Sequence, residues 1–214
     1  MSLWLLDNDA IRDAHNDVVI ARTDWTNPLD HGGWASSAMP GITVGWSGWF
    51  NSDPEDDDAT RAIRAQLRSW TAGTDDFRRV CDRLEAPLRA AGSIVCLRPR
   101  VGHVLSDVPT CVKFFKERAG RPWRLLLDPS GLLTREMAGD AEDHLRRIID
   151  ALGGLAWALL LTNVIDDGTA ERPQSPVHRG IISVAHLREA ADRFAGPRVL
   201  LRDDLDAQRA AIGV

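Results

Sequence analysis

The chain has 214 residues and a mass of 23.6 kDa, enough for one sizeable domain, or two small ones, with a single buried core. Hydrophobic residues make up 44% and charged residues 27%, which excludes a disordered or fibrous protein. The net charge of −5 argues against nucleic acid as a partner, because proteins that bind the phosphate backbone carry a basic face. The longest apolar run, Leu155–Leu161, is far shorter than the roughly 20 residues that span a bilayer, so we expect no membrane partner.

The cysteines and the first residues favour a cytoplasmic protein. Cys81, Cys96 and Cys111 are odd in number and lie in apolar stretches, which is typical of a reducing compartment without a disulfide framework. Met1–Leu6 is followed at once by Asp7, which is unlike the pattern of a signal peptide. We therefore expect cytoplasmic localisation.

Charge and tryptophan are distributed unevenly along the chain. Residues 1–60 hold two arginines against eleven acids, whereas the remaining residues hold twenty-four bases against twenty acids. Five of the eight tryptophans lie in the first fifty residues. We predict a single domain over residues 1–214, in which residues 1–57 are irregular, acidic and rich in tryptophan and residues 58–214 form regular βα repeats.

In chain order, the first half contains three predicted strands and one predicted helix. Leu3–Leu6, Val18–Ala21 and Ile42–Trp46 are short apolar runs that indicate strands. Thr60–Trp70 places apolar residues on one face and predicts a helix. The loop over residues 24–40 has little periodicity, and long loops of this kind are usually functional.

The second half alternates between buried strands and amphipathic helices. The predicted strands are apolar on both faces, as parallel sheets require, and comprise Ser93–Leu97, Arg124–Leu127, Leu155–Leu161 and Arg198–Leu201. The predicted helices begin after side chains that cap helices, namely Thr74, Ser106, Asp140 and Ser183. The first three of these strands start about thirty residues apart, the size of a βαβ unit. This pattern predicts an α/β protein whose seven strands form either an open doubly wound sheet or a barrel with fewer strands than usual.

Polar side chains follow four of these strands at the point where each strand ends. They are Arg98, Arg100 and His103 after the first, Asp128 after the second, Asn163 after the third and Arg202 after the fourth. Since chemistry gathers at the carboxyl ends of parallel strands, we expect these groups to meet at one mouth. Asp128 stands where a catalytic or metal-binding carboxylate belongs. The alternative is that each strand simply ends in a polar residue.

The order and spacing of these segments, from about residue 74 to residue 203, resemble the xylose isomerase-like TIM barrels, a superfamily of sugar phosphate isomerases and epimerases. The resemblance rests on the segments TDDFRRVCDRLEAPLRAAG, SIVCLRPRVGH, PWRLLLDPSGLL, AEDHLRRIIDALGGLAWALLLTNV and RGIIS. It implies a TIM-barrel-like fold of βα repeats with an incomplete or irregular N-terminal half. It also implies a divalent cation (Mg, Mn or Zn), held by carboxylates and histidine, that polarises a sugar carbonyl.

The match to the metal site of that family is partial. Asp128 keeps the acid at its strand end, but the histidine expected shortly after it is missing. The glutamates expected after two other strands fall on Arg98 and near Arg202, and the ligand expected after a third falls near Thr162 and Asn163. One carboxylate does not make a cation site, because divalent ions need several donors.

Arginines in these places change the mouth from attracting cations to attracting anions. Their guanidinium groups offer a fixed fork of donors that suits carboxylate or phosphate. Arg98, Arg100 and Arg202 would then bind a phosphorylated or carboxylated small molecule without a metal. Alternatively, Arg98 or Arg202 pairs with Asp128 and only holds the mouth together.

Three further side chains are candidates for contact with the substrate. Trp46 would stack on a sugar face, although tryptophan more often serves core packing. His103 would supply one donor from its loop, although a lone loop histidine is more often just solvated. Asn163 would orient the substrate at its strand end.

Two functions are consistent with this sequence. The first is a sugar phosphate isomerase or epimerase-like enzyme acting on a small sugar or polyol, with Asp128 as base or metal ligand. The second is a non-catalytic, degenerate relative of the barrel that binds a small anionic ligand or a protein partner. In that second case, the acidic N-terminal region would cover an open seam or contact another subunit of a homo-oligomer.

Overall fold

The structure is a computed structural model that describes residues 2–34, 40–50, 67–166 and 174–213. The strands are β1 (Leu3–Leu6), β2 (Ala10–Asp13), β3 (Val19–Asp24), β4 (Ile42–Gly45), β5 (Ile94–Leu97), β6 (Trp123–Leu127), β7 (Ala156–Leu160), β8 (Asn163–Val164), β9 (Gln174–Ser175) and β10 (Arg198–Leu201). The helices are α1 (Pro28–His31), α2 (Ala72–Ala91), α3 (Val108–Glu117), α4 (Ala141–Leu152), α5 (Val184–Arg193) and α6 (Leu205–Ile212). Short 3₁₀ segments lie at Ser130–Leu132, Arg135–Asp140 and Gly153–Leu155.

Eight of the strands close into a barrel in the order β1-β10-β7-β6-β5-β4-β3-β2. Neighbours from β3 through β4, β5, β6, β7 and β10 to β1 are parallel, whereas β2 is antiparallel to both β1 and β3. A hairpin reverses the chain within a few residues, whereas a parallel pair needs a long crossover. Because β2 reverses the chain twice, β1 and β3 become parallel without a helix between them. The barrel therefore closes within a short chain.

The predicted α/β, TIM-barrel-like fold is confirmed, and its irregular N-terminal half is the β1-β2-β3 meander. The alternatives of an open doubly wound sheet and of a barrel short of strands are wrong, because β2 supplies the eighth strand. Only two of the four residues of β2 are apolar, so this strand has no apolar run that would have predicted it. Its place is fixed instead by hydrogen bonding to strands on both sides.

The seven predicted strands are all present, with some of their ends shifted along the chain. Leu3–Leu6 and Arg198–Leu201 have the predicted bounds, while the strand predicted at Val18–Ala21 extends to Asp24. Of the helix predicted over Thr60–Trp70, residues 60–66 lie outside the described residues, and residues 67–70 are helical.

The helix starts are predicted correctly in part. Ser183 caps α5 with its hydroxyl, and α4 begins after Asp140 as expected, although the Asp140 side chain makes no capping bond. Thr74 is not a cap, because α2 begins two residues earlier. Ser106 is not the cap of α3 either, since the neighbouring Asp107 accepts the capping hydrogen bond with its carboxylate.

Side chains of the barrel strands alternate between two apolar layers. The inner layer fills the barrel and consists of Leu6, Ile11, Ala21, Val44, Cys96, Leu126, Ala158, Leu160 and Val199. The outer layer lies between the barrel and the helices and includes Leu125 and Leu127, the neighbours of the inward-facing Leu126. Since the interior is a packed core rather than a pore, the barrel itself offers space for a ligand only at its ends.

The cysteines are free and buried, and burial raises the pKa of each thiol, Cys81, Cys96 and Cys111. They therefore stay protonated and unreactive, as a structural cysteine does. Among the described residues, no helix combines the length and the apolar character needed to cross a bilayer.

Because β2 closes the barrel, we expect that truncating its buried side chain, Ile11, lowers the stability of the fold strongly. Ile11 is 0% exposed in the barrel interior, so Ile11→Ala should lower the free energy of unfolding by about 2–5 kcal/mol in denaturant titrations. Val19→Ala, at a position on β3 that is 46% exposed, is the matched control and should change it by about 0.5 kcal/mol or less. Equal effects of the two substitutions would contradict the placement of β2.

Candidate functional site at the barrel mouth

A cavity of about 380 Å³ opens at the carboxyl ends of the parallel strands, and we call it the mouth cavity. Its lining comes from the segments that follow β1, β3, β4, β5 and β10, and from β9. The lining residues are Leu6, Asp7, Asn8, Trp25, Trp46, Arg98, Arg100, Gln174, Leu201, Arg202 and Asp203. Four of the predicted site residues, Trp46, Arg98, Arg100 and Arg202, therefore meet at one place. The others lie beneath or beside this cavity.

An ion pair between Arg98 and Asp128 forms the floor of the mouth cavity. Arg98 Nε and Nη2 donate to Asp128 Oδ2 at 3.0 and 2.7 Å. The two side chains are only 5% and 1% exposed. Arg98 follows β5 and Asp128 follows β6, so the pair joins the ends of two neighbouring parallel strands. The sequence left two roles open for Arg98, binding of an anion or pairing with Asp128, and the structure shows the pairing.

The other oxygen of Asp128 is also fully engaged. Oδ1 accepts from Ser130 Oγ at 2.9 Å, from Thr162 Oγ1 at 3.0 Å and from the backbone N–H of Gly131 at 3.3 Å. Burial opposes ionisation of this carboxyl, but the ion pair with Arg98 and the hydrogen bonds outweigh it and hold the pKa of Asp128 below its usual value. Asp128 is therefore an ionised carboxylate whose acceptor sites are already filled.

The residues present do not fit the divalent cation that the family resemblance implies. Each Asp128 oxygen already accepts three hydrogen bonds, and the Arg98 guanidinium lies where a cation would be repelled. Within residues 2–34, 40–50, 67–166 and 174–213, no group of three or more His, Cys, Asp or Glu side chains could hold a metal ion. Asp128 is therefore not available as a ligand for a divalent cation.

Two tryptophans and Arg100 form one wall of the cavity. The rings of Trp25 and Trp46 lie 4.7 Å apart and are tilted by 40°. The guanidinium carbon of Arg100 lies 5.8 Å from the centroid of Trp46, and that of Arg98 lies 5.0 Å from it. In the described part of the chain, no carboxylate forms a salt bridge with Arg100. Among the described residues, this arginine therefore carries a positive charge that no salt bridge neutralises, beside an aromatic face.

Arg202 lies at the other side of the cavity and contacts the N-terminal meander. Its Nη1 donates to Asp7 Oδ2 at 3.2 Å and its Nη2 donates to Asp17 Oδ1 at 3.4 Å. The side chain of Arg202 is 46% exposed, and exposed pairs of this kind contribute about 0–1 kcal/mol. Since these pairs are weak, an anion in the cavity can also reach this guanidinium.

His103 packs behind the tryptophan wall and does not line the cavity. Its ring centroid lies 5.0 Å from those of Trp46 and Trp49. Burial, together with the positive charges of Arg100 and Arg98, lowers the pKa of His103 to about 3. The imidazole is therefore neutral at physiological pH, and its position supports the ring of Trp46.

Asn163 is a structural link rather than part of the cavity lining. Its amide nitrogen donates to the carbonyls of Val177 and Ile182 at 3.1 and 2.7 Å. Its side-chain oxygen accepts from the N–H groups of Val164 and Ile182 at 2.9 and 3.0 Å. These four bonds occupy both donors and both acceptor positions of the carboxamide, and they connect β8 to the segment that precedes α5.

Gln174 is a site residue that sequence reasoning missed. Its side chain contacts Arg98 and Asp128, which are 76 and 46 positions away in the chain. Gln174 stands on the two-residue strand β9, and no apolar run or motif marks that position. Thr162 is different, because it follows β7 closely, and the sequence already placed it beside Asn163 at a strand end where a family ligand is expected.

Comparison with solved structures returns TIM barrels. A xylose isomerase-like TIM barrel protein from Mycobacterium smegmatis, in complex with magnesium, is 15% identical, with a TM-score of 0.45 over 80% of this chain and 62% of that one. A probable 3-DHS dehydratase from Bacillus anthracis is 12% identical, with a TM-score of 0.47 over 81% and 62%. A xylose isomerase domain protein from Planctomyces limnophilus is 13% identical, with a TM-score of 0.46 over 80% and 77%.

The chain spans about three-fifths of the length of the first two of these structures. No protein-family model matches the sequence, and no curated protein matches it. Of what the sequence resemblance implies, the strand order of the closed barrel confirms the fold. These structures are only 12–15% identical to this chain and have TM-scores below 0.5, so nothing about the activity of this chain follows from them.

The low pKa of His103 predicts a pH dependence of stability. An unfolded histidine titrates near pH 6.5, whereas folded His103 titrates at about 3, so the unfolded chain binds the extra proton between these values. The free energy of unfolding should therefore fall as the pH drops below 6.5, by up to about 1.4 kcal/mol per pH unit. His103→Gln should remove this component in denaturant titrations at several pH values. His31→Gln, at an exposed position, should leave it in place, and identical profiles for the two variants would contradict the burial of His103.

Proposed function

We propose that this barrel binds a small anionic molecule in its mouth cavity without a metal ion. The observation that carries the proposal is Arg100, a guanidinium that lines the cavity beside Trp46 and has no carboxylate partner among the described residues. Guanidinium groups bind carboxylate and phosphate through paired, charge-assisted hydrogen bonds. Arg202 supplies a second guanidinium at the opposite side of the same cavity.

The size and lining of the cavity favour a polar ligand of the dimensions of a sugar acid or sugar phosphate. A volume of about 380 Å³ lies within the range of small-molecule sites. The Trp25 and Trp46 rings offer an apolar face, on which a polyol ring packs its C–H groups. Asn8 and Asp203 add polar groups that can bond to hydroxyls. Together these features favour a ligand that combines one anionic group with several hydroxyls.

The state of Asp128 favours binding over metal-assisted catalysis. A carboxylate that is paired with Arg98 and saturated with hydrogen bonds cannot coordinate a cation unless those bonds break. Its lowered pKa also makes Asp128 a weak base. The non-catalytic alternative from the sequence, a degenerate barrel that takes a small anion, is therefore our leading proposal.

Substitution of Arg100 tests this proposal. Calorimetric titration should show that glucose 6-phosphate and gluconate bind at least about tenfold more tightly than neutral glucose, because the Arg100 guanidinium attracts the anion. Arg100→Gln should reduce this preference about tenfold. Arg147→Gln, which removes an equal charge from an exposed position on α4, is the control and should not change it. Equal binding of glucose and the anions, or equal effects of the two substitutions, would refute the proposal.

Isomerase or epimerase chemistry, as implied by the family resemblance, is a second candidate, with a different base from the one predicted. Asp203 lines the cavity, and no cation pairs with its carboxylate in the described ranges. It could accept the proton from a carbon next to a sugar carbonyl, while Arg100 stabilises the enolate oxygen.

Solvent exchange distinguishes this second candidate from simple binding. In D₂O, a protein with this chemistry should exchange the proton next to the carbonyl of fructose 6-phosphate for deuterium, as followed by NMR. Asp203→Asn should abolish the exchange, and Asp204→Asn, at the neighbouring exposed position, should retain it. Absence of exchange in the wild-type protein would reject the second candidate and leave the binding proposal in place.

A further inference from the structure

The side chain of Gln174 is held in the floor of the mouth cavity as a bound ligand would be. Its Oε1 accepts a hydrogen bond from Arg98 Nη2, and its Nε2 donates to Asp128 Oδ2. Nε2 also lies 3.4 Å from Thr162 Oγ1. The opposite orientation of the amide would place its oxygen against a carboxylate and its NH₂ against a guanidinium. The charges of Arg98 and Asp128 therefore fix which end of the carboxamide faces which partner.

This pairing selects for one chemical group. Arg98 presents a donor and Asp128 presents an acceptor to the same side chain, so the complementary group has one acceptor and one donor next to each other, as a primary carboxamide does. A carboxylate would be repelled by Asp128, and an ammonium group would be repelled by Arg98. The floor is thus matched to a neutral carboxamide, whereas the wall beside it is matched to an anion.

The receiving groups are fixed independently of Gln174. Arg98, Asp128 and Thr162 follow β5, β6 and β7, three adjacent parallel strands of the barrel, and all three are buried. The hydroxyls of Ser130 and Thr162 donate to the other oxygen of Asp128, Oδ1, which Gln174 does not contact. The donor and acceptor positions therefore remain in place when the Gln174 side chain is removed.

Gln174 itself is attached to a much weaker element. It belongs to β9, which pairs with β8 through only two residues on each strand, outside the barrel sheet. Its side chain is partly exposed and lines the cavity together with Arg98, whereas Asp128, to which it donates, is not part of the lining. Elements with so few contacts open locally at low cost in free energy.

We propose that the floor of the mouth cavity is a binding site for a primary carboxamide, which Gln174 fills from within the chain and which the carboxamide of a small molecule takes when Gln174 moves away. Gln174 is then an internal competitor that lowers the affinity for the external group. The site shares its cavity with the proposed anion site but depends on Arg98, Asp128 and Thr162 rather than on Arg100. Each proposal can therefore fail without the other.

Rescue of Gln174→Ala by acetamide tests the proposal. The substitution removes one methylene and the carboxamide, and acetamide supplies both as a free molecule. Acetamide should raise the melting temperature of the variant in a saturable manner, with a dissociation constant on the order of 10 mM for so small a ligand. Ligand-observed NMR should show binding to the variant at least about tenfold tighter than to the wild-type protein. If Gln174→Ala does not fold, Gln174→Ser leaves nearly the same space and has the same expected result.

Two chemical controls and one matched variant make the result specific. N,N-dimethylacetamide has no N–H donor and acetate is charged, so neither should rescue Gln174→Ala. Gln208→Ala removes another buried carboxamide, which donates to the backbone carbonyls of Leu201 and Asp203 and contacts neither Arg98 nor Asp128. Equal rescue of both variants by acetamide, or equal rescue by the three compounds, would overturn the carboxamide site.

The outcomes also separate this proposal from the proposed function. Loss of acetamide rescue together with Arg100-dependent binding of anions would overturn the carboxamide site and leave the anion site standing. Rescue by acetamide in a protein that binds no anion would support the carboxamide site and remove the proposed function.

Discussion

The buried ion pair between Arg98 and Asp128 is the interaction on which the chemistry of this barrel depends. Two opposite charges lie out of water at the ends of adjacent strands, and such a pair is tolerated only when its hydrogen bonds are satisfied. Ser130, Thr162 and Gln174 provide that satisfaction. Asp128 is the one acid that this chain keeps at a position where the family resemblance implies a metal ligand. Because it is paired with Arg98, the floor of the mouth cavity carries no net charge. Arg100 and Arg202 are the other guanidiniums of the lining, and Asp7 and Asp203 are its carboxylates. Since Arg202 pairs with Asp7, the attraction for an anion that we propose depends on Arg100.

These groups meet because the strands close into a barrel, and a short connection in the first half of the chain allows that closure. In the β1-β2-β3 meander, one antiparallel strand takes the place of a crossover helix, so the sheet closes and its parallel strands direct their following residues to one mouth. The same meander brings Asp7 and Asp17 to Arg202. The acidic N-terminal region thus contributes to the mouth directly. Two of the eleven acids in residues 1–60 thus contact Arg202 at the mouth.

The sequence predicts most of the barrel because buried parallel strands are apolar runs with a regular period. It also predicts the positions of Asp128 and Arg98, because both directly follow such runs. It does not predict β2, whose strand character comes from pairing on both sides, nor Gln174, whose role depends on contacts across the fold. For Asn163 the prediction was wrong in the other direction. Its position at a strand end suggested contact with a substrate, yet its carboxamide makes four hydrogen bonds to backbone groups. Position along a strand is thus readable from sequence, whereas the partner of a polar side chain is not.

A double-mutant cycle on the ion pair tests the account most directly. The free energies of unfolding of the wild-type protein, Arg98→Met, Asp128→Asn and the double variant would be measured in denaturant. If the two charges neutralise each other in the floor, each single substitution leaves a buried charge unpaired, and the double variant is less destabilised than the sum of the single ones by about 1–3 kcal/mol. Additivity within about 0.5 kcal/mol would mean that Asp128 is not committed to Arg98, and the metal-free account of the mouth would be contradicted.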